Sequence, residues 1–186
     1  MFSEKLKEQT KEGHQDLERV LIPQIKSIKT KEDYLDLLGL FYSYFGALEE
    51  KIRAVIDISS LPDYGRRRKT SSIAGDIATL GGQAPDFVSA DQLPEIRDHA
   101  EALAALYVIE GSALGGKIIS RMISQNLEGK ADNALSFYNG YGEQTMDMWN
   151  SFKEAMNQQI VSEDQQERAI ATATQTFLKF RQLALS

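Results

Sequence analysis

One histidine of only two in the chain has neighbours that suit it to hold a metal. His14 lies in LKEQTKEGHQDLE, with Glu18 four residues on and Leu17 and Leu21 continuing its side of a helical pattern. Residues four apart on a helix are neighbours, so the Glu18 carboxylate lies within reach of one ring nitrogen. A carboxylate that accepts from one nitrogen fixes the tautomer and makes the other a better donor to a metal. Lys7 precedes His14 by seven residues, nearly on the same face and about 10 Å along the axis. One helix side thus offers an iron ligand and, two turns away, a cation for a carboxylate. The other histidine, His99 in EIRDHAEAL, stands among charges and reads as part of a solvated face. A di-iron carboxylate bundle would want E-x-x-H pairs on two helices. Lys11 and Ile96 occupy the positions three before the histidines, so neither supplies one.

The second chemical signal is YVIEGSALGGKII, residues 107 to 119, which sets Gly111, Gly115 and Gly116 in an apolar run. Each glycine costs a helix roughly 1 kcal/mol relative to alanine. GSALGGK fits the front of a phosphate-binding loop, but Ile118 stands where Ser or Thr would hold Mg²⁺, and no strand precedes it. Two readings remain. Small residues allow close helix packing, or Gly111, Ser112, Gly115 and Gly116 let a helix bend and show bare backbone to a flat ligand.

The elements that must position these residues read as helices throughout. Residues 3 to 21 carry the stripe Leu6, Thr10, Gly13, Leu17, Leu21, with Pro23 just past the end. Thr30 with Asp33 forms a capping box ahead of TKEDYLDLLGLFYSYFGALEEKI, a second long helix. A shorter helix follows GRRRK and ends at Gly81-Gly82, where a left-handed C-cap wants glycine. From about Pro94, suited to a first turn, helix is expected to Asn126. FYNGYGEQ is a turn-rich aromatic loop, TMDMWNSFKEAM a helix, and Ser162 with Gln165 caps the last one. The sum is an all-α, single-domain fold over residues 1 to 186.

Composition narrows the function. With 21 Lys+Arg against 27 Asp+Glu, net charge −6 disfavours a sequence-independent grip on nucleic acid or an anionic membrane. No cysteine is present, so thiolate metal sites, disulfides and a cysteine nucleophile are unavailable. The start carries charge at once and is no secretory signal. ALAALYVIEGSALGGKII approaches membrane-spanning length but contains Glu110 and Lys117, and is read as a buried helix. The expected compartment is the cytoplasm, with no nucleic-acid or membrane partner.

LKEQTKEGHQDLE resembles the proximal helix of the haem oxygenase family, including the lysine seven before the histidine and the glutamate four after it. KTKEDYLDLLGLFYSYFGALEEKI is similar to that family's second helix. YVIEGSALGGKII is similar to its glycine-rich distal helix, in the EGS-x-LGG form of bacterial members. The resemblance runs in order along nearly the whole chain. It implies a helical bundle that sandwiches haem, at once substrate and cofactor, between proximal and kinked distal helices. It further implies oxidative ring opening to biliverdin with release of CO and ferrous iron, using O₂ and electrons from a separate reductase or ferredoxin.

Carried over by that resemblance, His14 is the iron ligand, Glu18 its hydrogen-bonding partner and Lys7 a propionate contact. Gly111, Ser112, Gly115 and Gly116 form the distal wall that touches the reacting centre. Two departures stand out. Ser112 occupies the place where many relatives carry an aspartate that organises water, and GEQTMDMW lacks the basic residues that hold propionates in familiar members. Tyr141 is the expected substitute contact, with Tyr138, Lys179 and Arg181 as further candidates. A non-degrading haem carrier of the same fold is the first alternative. A helical enzyme acting on thiamin breakdown products is the second, and the absence of cysteine counts against it.

Overall fold

The computed structural model describes all 186 residues and contains eight α-helices joined by turns and short 3₁₀ segments, without a strand. They are α1 (Phe2–Ser27), α2 (Lys31–Arg53), α3 (Ser71–Thr79), α4 (His99–Gly111), α5 (Gly116–Asn126), α6 (Ser136–Asn139), α7 (Thr145–Gln159) and α8 (Glu163–Leu185).

The core is organised around α4. Every residue from Ala100 to Glu110 is buried, so this helix has no solvent face. A helix that is apolar all round must be enclosed by others, and α8, α2 and α7 pack against it. The long apolar run is therefore the centre of a globule, although its length and hydropathy alone would let it cross a membrane. Hydrogen-bonded aromatics tie the layers together. Tyr44 stacks on Phe180 at 4.8 Å and donates to the Thr176 carbonyl, while Tyr34 donates to that of Ala134.

α1 and α8 lie side by side and parallel, since Lys5 reaches Gln166, Gly13 meets Phe177 and Gln24 bonds the Ala184 carbonyl. At Gly13 a Cβ would stand 3.4 Å from that of Phe177, so the stripe residue there serves close helix contact. The capping boxes at Thr30/Asp33 and Ser162/Gln165 both form, and Gly81 adopts the left-handed conformation, φ +77°, that ends α3.

Three expectations need correction. Pro23 lies inside α1, which continues to Ser27 because tertiary contacts hold the extra turn: Ile25 is buried, its carbonyl accepts from Asn126, and Gln24 is bonded to α8. Pro94 does not open the distal helix. Asp98 does, accepting from the backbone N–H of Glu101, and residues 94 to 97 lie outside any helix. A carboxylate that satisfies an otherwise orphaned amide is a stronger start signal than proline alone. Finally, His99 is no solvated-face residue. Its Nδ1 accepts from the Asp57 N–H at 3.0 Å, and its Nε2 meets Gln159 and Ser60.

Candidate functional site

α1 is pinned near its ends and open between them. Toward its start, the Ser3 N–H donates to Asn157 of α7 at 2.7 Å, and toward its end Asn126 of α5 donates to the Ile25 carbonyl. Lys7, Lys11, His14 and Glu18 all stand exposed in the intervening turns, while Leu6, Thr10, Leu17 and Leu21 are buried. The Tyr107 phenol reaches from α4 toward Thr10 and Glu4 of α1. His14 lies four residues after Thr10 on α1, and Gly111 four residues after Tyr107 on α4.

The His14 side chain is 53% exposed and set edge-on to Phe177, with ring centres 5.6 Å apart at 82°. The phenyl ring fixes the imidazole's inner edge and leaves its outer edge free. Glu18 Oε2 stands 3.7 Å from Nδ1, beside it but beyond hydrogen-bond length. The pair is adjacent as the i, i+4 spacing requires, without the bond closed. Lys7 makes no ion pair.

The distal segment is interrupted at its glycines. α4 ends at Gly111, residues Ser112–Gly115 form a 3₁₀ turn, and α5 resumes at Gly116. A 3₁₀ stretch between two α-helical ones marks a local change of path. The four distal residues then divide. On α5, Gly116, Ser120 and Ile123 are buried, whereas Gly115, Ile118, Ile119 and Met122, on the neighbouring face, are partly or fully open. A Cβ on Gly115 would meet nothing closer than Ile119 Cδ1 at 3.9 Å, and one on Gly111 nothing closer than the Trp149 ring at 3.7 Å. A Cβ on Gly116 would fall 2.0 Å from the Tyr138 carbonyl oxygen. Gly111 and Gly115 therefore leave backbone bare toward space or a side-chain tip. Gly116 is a packing glycine, so the close-packing reading of the cluster holds there, and Gly111 and Gly115 have room for an approaching group.

Tyr141 was expected to touch a propionate; the structure gives its hydroxyl other work. It donates to Glu110, 2.9 Å from each carboxylate oxygen, and accepts from the Arg68 backbone N–H at 2.7 Å. Burial pushes the phenol's pKa up, and the Glu110 charge adds to this. Tyr138 is buried with its hydroxyl unpartnered, so it faces no aqueous slot either. Lys179 is spent on the Asp91 carbonyl.

The run Arg66, Arg67, Arg68 carried no functional expectation from sequence, yet two of its members reach the back of the bend. Arg67 pairs with Glu110 at 2.7 Å and with Asp63 at 2.7 Å, and its side chain is closed to solvent. Arg68, also buried, donates to the carbonyls of Ile109 at 2.7 Å and Phe137 at 3.1 Å and to the Ser112 hydroxyl, with its guanidinium 4.0 Å from the Phe137 ring centre. Burial draws its pKa down, and Glu110 and Tyr141 oppose that. The start of α6 is anchored in turn by Asp76, which accepts from the N–H groups of Ser136 and Phe137. Three consecutive basic residues before a helix give no hint of this; the partners lie some 40 to 80 positions away in sequence.

The apolar stripe, bare backbone and one-sided imidazole fit a flat ring with a metal at its centre. Two surface cavities, of about 400 and 460 Å³, lie elsewhere, the first beside Lys29 and Lys130, the second between Ser3 and Asn157; neither includes His14 or the bend.

Comparison with known proteins agrees with this class of site. The Heme oxygenase family model matches residues 1–186. The heme oxygenase of Xanthomonas campestris pv. campestris (strain 8004) is 32% identical over 149 residues, covering 80% of this chain and 87% of that protein. The NO- and CO-bound heme oxygenase of Neisseria meningitidis superposes with TM-score 0.78 at 19% identity, over 99% of this chain and 90% of that one. The enzyme from Leptospira interrogans gives TM-score 0.70 at 19% identity over 98% of each chain. The chain belongs to the haem oxygenase family and is a haem-degrading oxidoreductase. Membership decides against both the carrier and the thiamin-related alternative.

Proposed function

We propose that this protein opens the haem ring to biliverdin, releasing CO and ferrous iron, with O₂ and with electrons from a separate reductase or ferredoxin, in the cytoplasm. The observation that carries this is His14: a half-open imidazole on α1, backed by Phe177 and with Glu18 3.7 Å from its Nδ1, in a chain whose Gly111 and Gly115 leave backbone bare along the distal segment.

In this reading haem supplies the redox-active iron that activates O₂ and is itself the molecule oxidised. The chain's own residues do the rest. His14 Nε2, on the edge away from Glu18, would hold the iron as a neutral imidazole, and Glu18, 3.7 Å from Nδ1, would orient the ring from its other nitrogen. Lys7, free of any carboxylate, offers its ammonium to a propionate. Gly111 and Gly115 admit the ring close to backbone, and Ile118, Ile119 and Met122 cover its apolar edge and exclude water. Ser112, held by Arg68, is the one side-chain hydroxyl on the bend, so it orders polar hydrogens near the reacting oxygen. Gly116 acts from behind by letting α5 lie against Tyr138.

Replacement of His14 by alanine is the direct test. Haem titration of the wild type should produce a defined Soret complex, and aerobic incubation with reductant should convert it to bilin absorbance with CO. His14→Ala should lose the wild-type complex and the conversion. An unchanged spectrum in the variant would contradict the axial bond.

A further inference from the structure

Behind the bend, Glu110 is a buried carboxylate to which the proposed chemistry gives no task. Its hydrogen bonds form a chain with a fixed direction. A carboxylate paired with a guanidinium can only accept, and Glu110 accepts from Arg67 at 2.7 Å and from the Tyr141 hydroxyl at 2.9 Å. Having given its one proton to Glu110, the Tyr141 hydroxyl turns a lone pair to the Arg68 backbone N–H. That bond, with the anchors at Phe137 and Ile109, seats the Arg68 side chain. Arg68 is 9% exposed and has no carboxylate within ion-pair distance, so its Nη2 is left to donate to Ser112 Oγ. Arginine never accepts. Ser112 has meanwhile placed its own proton on the Ile109 carbonyl at 2.6 Å.

The count at Ser112 is then closed. Its hydroxyl proton is committed and one lone pair is taken by Arg68, which leaves a single lone pair. Whatever binds Ser112 from the open side must donate to it. A water held there gives one O–H to Ser112 and keeps the other to point along the bend.

We infer that Glu110 is a positioning residue for the haem reaction: acting through Tyr141 and Arg68, it locks Ser112 as an acceptor and so sets the direction in which a slot water presents its proton. The proposal rests on the haem oxygenase reading above. It assigns proton orientation at a neutral serine to a carboxylate on the far side of the helix. Glu110 itself never meets the substrate.

The test compares Glu110→Gln and Tyr141→Phe with wild type, and with His99→Gln as a remote variant that touches none of these groups. The readout is the C–O stretch of the carbon monoxide adduct of haem-loaded protein, which falls when a donor points at the diatomic. Glu110→Gln puts an amide that can donate where only an acceptor stood. Tyr141→Phe keeps the ring and deletes the link, and it serves where the glutamine variant does not fold. Both should move the stretch to higher wavenumber, while His99→Gln leaves it in place even as it lowers the melting temperature. Folded, haem-loaded variants with the wild-type stretch would overturn the inference and leave the function standing. A wild type that forms no His14-dependent haem complex would overturn the function, and the inference with it.

Discussion

Adjacent glycines 115 and 116 should respond oppositely to the same added methyl group. At Gly116 an alanine Cβ would lie 2.0 Å from the Tyr138 carbonyl oxygen and 3.0 Å from its carbon, about 1.5 Å short of a comfortable contact. The neighbour cannot easily yield. The adjoining Phe137 is fixed by Asp76 at its N–H and by Arg68 at its carbonyl, and Tyr138 itself is buried. Overpacking in such a place costs about 1 to 3 kcal/mol, occasionally more; taking the upper end, a chain of this length loses roughly 6 to 12 °C of melting temperature. At Gly115 the nearest atom would be 3.9 Å away, so strain is absent and helix propensity favours alanine by up to about 1 kcal/mol. Gly115→Ala should therefore melt at or slightly above the wild-type temperature, yet bind haem on the order of tenfold more weakly, about 1.4 kcal/mol, because the methyl enters the slot. Thermal unfolding followed by circular dichroism, paired with haem titration, measures both. Equal melting temperatures for the two variants, or a Gly115→Ala that binds like wild type, would refute the division of labour between these positions.

Other outcomes follow from the same geometry. His99→Phe removes the acceptor for the Asp57 N–H and the partner of Gln159 and Ser60; a loss on the order of 1 to 3 kcal/mol should appear in denaturant melts, and wild-type stability would show the clamp to be idle. Acid should destabilise the protein through its capping aspartates. The backbone N–H groups of Lys29 and Thr30 hold Asp33 below the usual carboxylate range; at Asp98 burial pushes upward but the Glu101 N–H and Arg168 outweigh it. With folded values depressed, the unfolded chain binds more protons in this range, so the contribution is complete above about pH 4 and disappears as pH falls through the lower folded values. Asp33→Asn and Asp98→Asn should each flatten the acid limb of a stability–pH curve, and an unaltered limb would count against them. Lys7→Ala should weaken haem affinity while leaving the His14-dependent spectrum intact, whereas a changed axial signature would place Lys7 elsewhere in the site.

What could be read from sequence was mostly what is decided locally. Both capping boxes and the glycine stop of α3 depend on residues within one turn, and they form as written. The adjacency of His14 and Glu18 is likewise a matter of helical pitch. The glycine cluster was legible in kind but not in detail, because Gly115 and Gly116 differ only in what approaches them, and the Tyr138 carbonyl comes from over twenty residues downstream. Arg67 and Arg68 carried no expectation from sequence, because Glu110, Ile109 and Phe137, which close around them, lie far along the chain. Tyr141 went astray for the same reason: an aromatic in a turn-rich loop has no sequence mark that separates facing a ligand from bracing the wall behind it.

The parallel pairing of α1 with α8 has a consequence for how the protein is made. The strip that carries His14 rests on a helix whose matching residues are about 160 positions later, as the Lys5–Gln166 and Gln24–Ala184 bonds require. On a ribosome, where domains tend to fold as they emerge at roughly 5 to 20 residues per second, the segment that carries His14 comes out ahead of α8 and waits on the order of ten seconds or more for its bed. During that interval a nascent chain has an imidazole but no Phe177 behind it, so the proposed hold on porphyrin would arise with the arrival of α8 rather than stepwise along synthesis.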